Sequence, residues 1–371
     1  MIVGLEATVL REPLSGVGHY IARLIDSIAN GAGEGAVDRL MVLSNRTLAI
    51  EPGGRVEAHD RPSIRARPFW MQFVLPRILQ RARPDLVHFT NYLAPIGLEL
   101  PFVTSFHDMS LALLPQCHTL KKRLLTARLI PFAARNARLI LTPSESTRRD
   151  VVRLLHVDPA RVRVIPYAAA RSFRPVAAGR ERLEQAYGIR SPYLLFVGTV
   201  EPRKNLARAL RAFARIAGSH PGLRFVMVGP LGWKFDEILR EVERPALEGR
   251  VQRVGYVPEA DLPALYSHAL AFLYPSLYEG FGLPLVEAMA CGAPVITSNG
   301  SSMAEIGDGA ALLVDPQDEQ AIADALDRLV TDAALRAELR ERGLLRAAQY
   351  SWERTGRETV AAYQAACNGG C

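Results

Sequence analysis

The stretch YEGFGLPLVEAMACGAPVITS, residues 278–298, carries two carboxylates, Glu279 and Glu287, with seven residues between them. Leu283 and Pro284 read as a helix start, with proline at the first position. Gly292 reads as a left-handed cap that ends the helix. Glu287 then falls one turn into an apolar helix, among Leu285, Val286, Ala288, Met289 and Ala290. An ionised carboxylate there costs several kcal/mol unless it is hydrogen-bonded. A diol supplies two O–H donors to one such group. Gly280, Phe281 and Gly282 form a loop whose N–H groups face the helix mouth and suit an anion. The stretch therefore suits a ligand with hydroxyls at two places and phosphates between, such as a nucleoside diphosphate sugar. Taken singly, Glu279 also fits a charge that complements a helix dipole, and Glu287 a structural salt bridge.

A second candidate is GTVEPRKN, residues 198–205, where Arg203 and Lys204 stand at a strand's carboxyl end just before a helix. A pyrophosphate leaving group gains negative charge as its bond to carbon breaks. Two cations and helix N–H groups stabilise that charge without a metal. The competing reading is a solvated turn. In SGVGHYIARLIDSI, residues 15–28, Gly16 and Gly18 open an amphipathic helix and let backbone N–H groups approach an anion. Ile21 stands where a dinucleotide fingerprint needs its third glycine, which weakens a nicotinamide reading. In SFHDMSLALLP, residues 105–115, His107 and Asp108 end a strand. An imidazole there suits a hydrogen bond to a sugar hydroxyl, although a lone histidine is also a common core residue.

These residues need strands to carry them. In the second half, YLLFVGT, LRFVMVGP, VQRVGYV, LAFLYPS and PVITS alternate with helical patterns. In the first half the corresponding segments are 2–7, 39–44, 86–89, 102–108, 137–144 and 161–168. Strands apolar on both faces and separated by helices indicate a parallel sheet covered on both sides. The fold class is α/β, with two Rossmann-like domains in tandem and a ligand site expected in the cleft between them. A linker is expected near Phe173–Ala178. It divides an N-terminal domain, 1–175, from a C-terminal domain, 176–351.

With 371 residues, two full cores are possible. The net charge of +7 and pI of about 9.4 favour anionic partners. No apolar run spans a bilayer, and MIVGLEATVL reads as a first strand rather than a signal peptide. Cys117, Cys291, Cys367 and Cys371 lack metal-site spacing, and reduced thiols in a cytoplasmic protein are expected. Nucleic-acid binding is disfavoured, because the aromatic residues are not arranged as stacking platforms.

Together, EGFGLPLVE, GTVEPRKN, FHDM and SGVGHY resemble the retaining GT-B glycosyltransferases of family 4. YSWERTGRETVAAY, residues 350–363, resembles that family's C-terminal helix, which crosses back to the N-terminal domain. The resemblance extends the N-terminal domain by residues 352–371 and covers nearly the whole chain. It implies donor binding by the C-terminal domain and acceptor binding by the N-terminal one. Glu287 would accept from the donor ribose. Glu279 would contact the transferred sugar, with Phe281, Gly282 and the adjoining Gly280 and Leu283 lining the loop. Arg203 and Lys204 would hold the diphosphate, Gly16 would approach it, and His107 would touch the sugar. Tyr256 and Val257, in GYVPEADL, would contact the base through their backbone. The resemblance implies retention of configuration, with His107, Glu279, Arg203 and Lys204 as the catalytic set, and neither metal nor cofactor.

The expected donor is GDP-mannose, with a dTDP- or UDP-sugar and rhamnosyl or glucosyl transfer as alternatives. The expected acceptor is a surface polysaccharide or its lipid-linked precursor. RPSIRARPFWMQFVLPRILQRARP, residues 61–84, mixes arginines with Phe69, Trp70, Met71 and Phe73, and HTLKKRLLTARLIPFAARNARL, residues 118–139, is a second basic helical stretch. Both suit an anionic membrane surface, which would place the protein on the inner face of the cytoplasmic membrane. The competing reading for 61–84 is a core helix with solvated arginines.

Overall fold

The computed structural model describes residues 1–10, 14–32, 34–48, 54–61, 64 and 66–369, apart from the side chains of residues 122 and 125. Arg65 and Cys371 thus lie outside the described residues. The chain divides into two compact units, Met1–Tyr167 with Ser351–Cys371, and Ala168–Tyr350. The sequence reading put this division at 175/176 and the return at 352.

Unit 1 holds a parallel sheet of β1 (Ile2–Glu6), β2 (Arg39–Ser44), β3 (Val56–Asp60), β4 (Leu86–Phe89), β5 (Phe102–Ser105), β6 (Leu139–Thr142) and β7 (Val162–Val164). Its order is β3-β2-β1-β4-β5-β6-β7. Unit 2 repeats the plan with β8 (Tyr193–Val197), β9 (Arg224–Val228), β10 (Val251–Gly255), β11 (Ala271–Tyr274), β12 (Val295–Ser298) and β13 (Leu312–Val314), in the order β10-β9-β8-β11-β12-β13. Its strands are also parallel. The inner strands β4, β6, β8 and β11 are buried along their whole length, as two helix-covered faces require. In both orders the winding reverses beside the first strand, at β1/β4 and at β8/β11. Open α/β sheets bind ligands outside the carboxyl ends of the strands at such a reversal.

Strands β3 and β13 were not anticipated. Both lie at sheet edges; β3 is VEAHD and β13 only LLV. Short, half-exposed edge strands carry little apolar signal.

The helices used below are α1 (Gly16–Ser27), α2 (Leu120–Thr126), α3 (Leu206–Ala217), α4 (Leu283–Ala290), α5 (Ser301–Gly307) and α6 (Trp352–Cys367). The last belongs to unit 1 and packs on α1. Gly356 makes this approach possible, since a Cβ there would lie 2.2 Å from Ser27 Oγ. Ser27 Oγ donates to the Trp352 carbonyl, and Trp352 stacks on Tyr167 with 10° between the ring planes. Tyr363 meets His88 Nδ1 at 2.7 Å. Burial drives the His88 pKa down to about 3, so the imidazole is neutral and joins β4, β5 and α6 through Ser105 and Tyr363.

Cys117, Cys291 and Cys367 carry free thiols. The segment 61–84 divides its side chains. Trp70, Met71, Leu75 and Leu79 are buried, while Phe69 and Phe73 are exposed and touch each other. The core-helix reading therefore holds for one face only.

Candidate active site

The carboxyl ends of β8 and β11 bring together four charges. Glu279 lies in the loop before α4 and is 6% exposed. Its Oε1 accepts from Lys204 Nζ at 2.6 Å and its Oε2 from Arg203 Nη1 at 2.5 Å. Arg203 Nη1 also donates to the Tyr278 carbonyl, and Nη2 donates to Glu201 Oε1 at 2.7 Å. Lys204 Nζ donates to the Tyr274 hydroxyl and lies 4.8 Å from the centroid of that ring. Two carboxylates thus face two cations. Burial alone would raise the Glu279 pKa, but the Arg203 and Lys204 charges outweigh it and hold it down at about 2. Burial lowers the Lys204 pKa, and Glu279 and Glu201 counter that shift. Buried ion clusters are weak sources of stability. A set of paired charges at the ligand end of a sheet is therefore a site candidate first.

Local structure holds the cluster in place. Asn205 takes a left-handed conformation, φ 61°, and its Nδ2 donates to the carbonyls of Pro275 and Pro316. That side chain fixes the entry to α3 and with it Lys204. Across the loop, the Glu279 N–H donates to Ser301 Oγ at 3.2 Å. Ser302 Oγ lies within hydrogen-bond reach of the carbonyls of Glu279 and Phe281, at 2.9 and 3.1 Å. Gly282 has φ 91°, and a Cβ there would fall 2.2 Å from Met303 Cε. Only glycine fits the step from this loop into α4. Phe281 packs edge-on against Tyr350 at 5.7 Å.

Helix α4 begins and ends where its sequence indicated, with Gly292 at φ 74° just after it. Glu287 is half-buried on α4, and its Oε2 accepts from the Tyr266 hydroxyl at 3.1 Å. Burial and the neighbouring Glu287 push the Cys291 thiol up to about 12, leaving it unreactive. Val257 is buried and Tyr256 is exposed at the end of β10.

In unit 1, Gly16 is the first residue of α1, where Ser15 Oγ accepts the Gly18 N–H. Among the described residues a Cβ on Gly16 would meet nothing within 4 Å, and its φ is not left-handed. Neither packing against the described residues nor backbone conformation requires glycine here. His107 follows β5. Its Nε2 lies 2.6 Å from the Thr90 carbonyl, which can only accept, so Nε2 carries the proton and Nδ1 accepts from the Tyr167 hydroxyl at 2.7 Å. Burial holds the ring's pKa down at about 4, against the opposing pull of the Thr90 carbonyl and Asp108. His107 is neutral at pH 7.

Sequence reasoning placed Arg203, Lys204 and Glu279 near one another but missed Glu201, Tyr274, Asn205, Ser301 and Ser302. Glu201 had a signal, since it stands two residues before Arg203 in the same loop. Tyr274 had none, because its partner is 70 residues away. Among the described residues, no group of three His, Cys, Asp or Glu side chains could hold a metal. No described helix is long and apolar enough to cross a membrane.

Comparison with known proteins follows the same division. The family model described as "Glycosyl transferases group 1" matches residues 179–346, and that described as "Glycosyltransferase Family 4" matches residues 16–168. The chain is 31% identical over 380 aligned residues to the O-antigen chain mannosyltransferase B of Escherichia coli, covering 96% of this chain and 97% of that one. It is 32% identical over 225 residues to the serotype-specific mannosyltransferase WbdA of Escherichia coli, covering 58% of this chain and 27% of WbdA. Among solved structures, sucrose-phosphate synthase from Thermosynechococcus elongatus superposes with a TM-score of 0.78 at 22% identity, covering 98% of each chain.

Proposed function

The chain belongs to glycosyltransferase family 4 and has its GT-B fold, and from that premise we propose that it moves mannose from GDP-mannose to a saccharide or lipid-linked saccharide in O-antigen-type polysaccharide synthesis. The two Escherichia coli mannosyltransferases support the sugar and the pathway. The observation that carries the reading is the paired cluster of Glu201, Arg203, Lys204 and Glu279 at the reversal of the unit 2 sheet.

The cluster is neutral as it stands, and a diphosphate would compete with Glu279 for Arg203 and Lys204. Glu279, released from them, would accept hydroxyls of the transferred sugar. The half-buried Glu287 would accept from the ribose diol, and Tyr256 and Val257 would meet the base. Transfer forms the bond from sugar C1 to the acceptor oxygen and breaks the bond from C1 to the β-phosphate oxygen. The proton of the acceptor hydroxyl passes to the leaving phosphate on the same face, so configuration is retained and no metal takes part. Negative charge grows on the leaving diphosphate, and each cation held against it contributes about 10²–10³ in rate. Gly16 would let the other unit's backbone approach the diphosphate. His107 would position the sugar. A role as base would require Tyr167 to give up Nδ1.

Unit 1 would also rest on an anionic membrane through exposed Phe69 and Phe73, with the exposed Arg77 beside them. Sedimentation with anionic vesicles tests this, and Phe69→Ser/Phe73→Ser should weaken binding.

The test of the donor is a thermal-shift panel with GDP, UDP, dTDP, ADP and NAD, followed by the sugar nucleotides. Stabilisation by GDP, lost in Glu287→Ala, is the expected result. A shift with NAD alone, or with none of them, would overturn the reading.

A further inference from the structure

Unit 1 contains a cavity that the transfer reaction leaves unused. Its volume is about 410 Å³, within the range of small-molecule sites. The lining is predominantly apolar and includes Tyr92, Phe106, Met109, Leu124, Ile130 and Leu155. Two further observations indicate its contents. First, α2 leaves two large apolar side chains at the cavity in solvent, Leu120 at 64% exposed and Leu124 at 70%. They are four residues apart and so share one face of the helix. Exposed apolar surface beside a cavity marks a binding site more often than an accident. Second, Asp108 and Arg123 are the charged residues of the lining among the described residues. Asp108 Oδ1 is taken up by the N–H and O–H of Ser110. Among the described residues the Arg123 guanidinium has no ion pair or hydrogen bond, and neither Lys121 nor Arg128, on either side of it in sequence, has an acidic partner. An apolar chamber with an arginine in its lining fits a hydrocarbon chain that ends in a phosphate.

We propose that this cavity holds the start of the hydrocarbon chain of a lipid-phosphate acceptor, with Arg123 against the phosphate. The inference rests on the transfer reading for the identity of the amphiphile, while the cavity and its rim stand independently. Asp108 adjoins His107 in sequence, so the chain would enter beside the residue that positions the sugar.

The probe is dodecyl phosphate below its micelle concentration, titrated into the full chain by calorimetry. Saturable one-to-one binding is expected, with dodecyl glucoside at least tenfold weaker. Arg123→Gln should remove that preference. Ala127→Phe fills the cavity from an exposed helix end and should weaken dodecyl phosphate at least tenfold, with the melting temperature and GDP shift intact. It should raise KM for a mannosyl acceptor on a dodecyl-phosphate chain at least tenfold, with kcat and the rate on methyl mannoside unchanged. Binding to anionic vesicles should persist in Ala127→Phe. Loss of vesicle binding would make the cavity a bilayer anchor and overturn the proposal. So would dodecyl phosphate binding that Ala127→Phe leaves unchanged in a folded protein. Absence of transfer with every donor, while dodecyl phosphate still binds in the cavity, would sink the transfer reading and leave the chain site standing.

Discussion

The two units share a strand order and a winding reversal, yet they treat charge differently. Unit 2 keeps four charges at its strand ends by pairing them, and the Glu279 pKa falls to about 2 as a result. Unit 1 holds a looser pair, Glu6 with Arg67 at 3.8 Å, and keeps two histidines uncharged by burial, His107 at about 4 and His88 at about 3. The same backbone plan therefore offers two kinds of surface. Paired charges can exchange partners with an incoming diphosphate. Neutral imidazole and phenol groups can exchange hydrogen bonds with a hydroxyl and would repel neither sugar nor alcohol.

Removing one partner from the paired site should give the largest effect. In Lys204→Ala, Glu279 keeps its burial and loses a cation. Breaking a buried pair from one side costs about 3–5 kcal/mol. The turnover number should fall by about 10²–10³ as well. Melting temperature and kcat measure the two losses. Lys204→Ala/Glu279→Ala should recover part of the stability and none of the activity. If the double variant melts no higher than the single one, the cluster is not held by charge balance and the contrast with unit 1 fails.

Acidification should separate the units next. A histidine held neutral binds fewer protons folded than unfolded. His107 and His88 therefore contribute stability fully present above their ordinary value of 6.5 and lost as pH falls towards 4 and 3. The Glu279 contribution is fully present above the ordinary 4.5 and lost only as pH falls towards 2. Between about pH 6.5 and 4.5, then, unit 1 should weaken while the unit 2 cluster holds. Pulse proteolysis with fragments mapped to each unit reads this directly. Parallel weakening of both units across that range would remove the proposed difference.

Legibility in the sequence differed between the units for the same reason. Glu287 in an apolar helix, and Arg203 beside Lys204 at a strand end, are local anomalies that a sequence displays. So are Pro284 and Gly292, which bracket α4. The neutral network of unit 1 has no local signature. His107 finds Tyr167 60 residues away, and His88 finds Tyr363 275 residues away. The strands of both sheets were readable wherever two helix layers bury them, and the edge strands β7 and β10 were readable from their runs of valine. The edge strands β3 and β13 escaped because VEAHD is largely polar and LLV is only three residues long. The basic segment 61–84 was read whole, although its helical turns send Trp70 inward and Phe73 outward.

A smaller effect should distinguish the glycine that shapes the unit 2 loop. Gly282→Ala puts a side chain at φ 91° and against Met303 Cε. Strained backbone of this kind costs about 1–3 kcal/mol. Met303→Ala should relieve the contact and leave the backbone penalty, so rescue should be partial in a denaturant titration. Full rescue would mean that crowding alone selects glycine there.

The smallest expected change in stability, at Gly16, tests the contrast most closely. Among the described residues nothing lies within 4 Å of a Cβ at this position, and its backbone is not left-handed. Alanine is also the better helix former at a first turn. Gly16→Ala should therefore shift stability by no more than about 0.5 kcal/mol. If Gly16 is glycine because a diphosphate passes there, GDP affinity should still fall, by tenfold or more, with the methyl group standing where the ligand would lie. The pairing of an unchanged melting temperature with a weakened nucleotide is what a donor contact from unit 1 requires. Unchanged affinity would confine the donor to the paired charges of unit 2 and leave unit 1 with the acceptor alone.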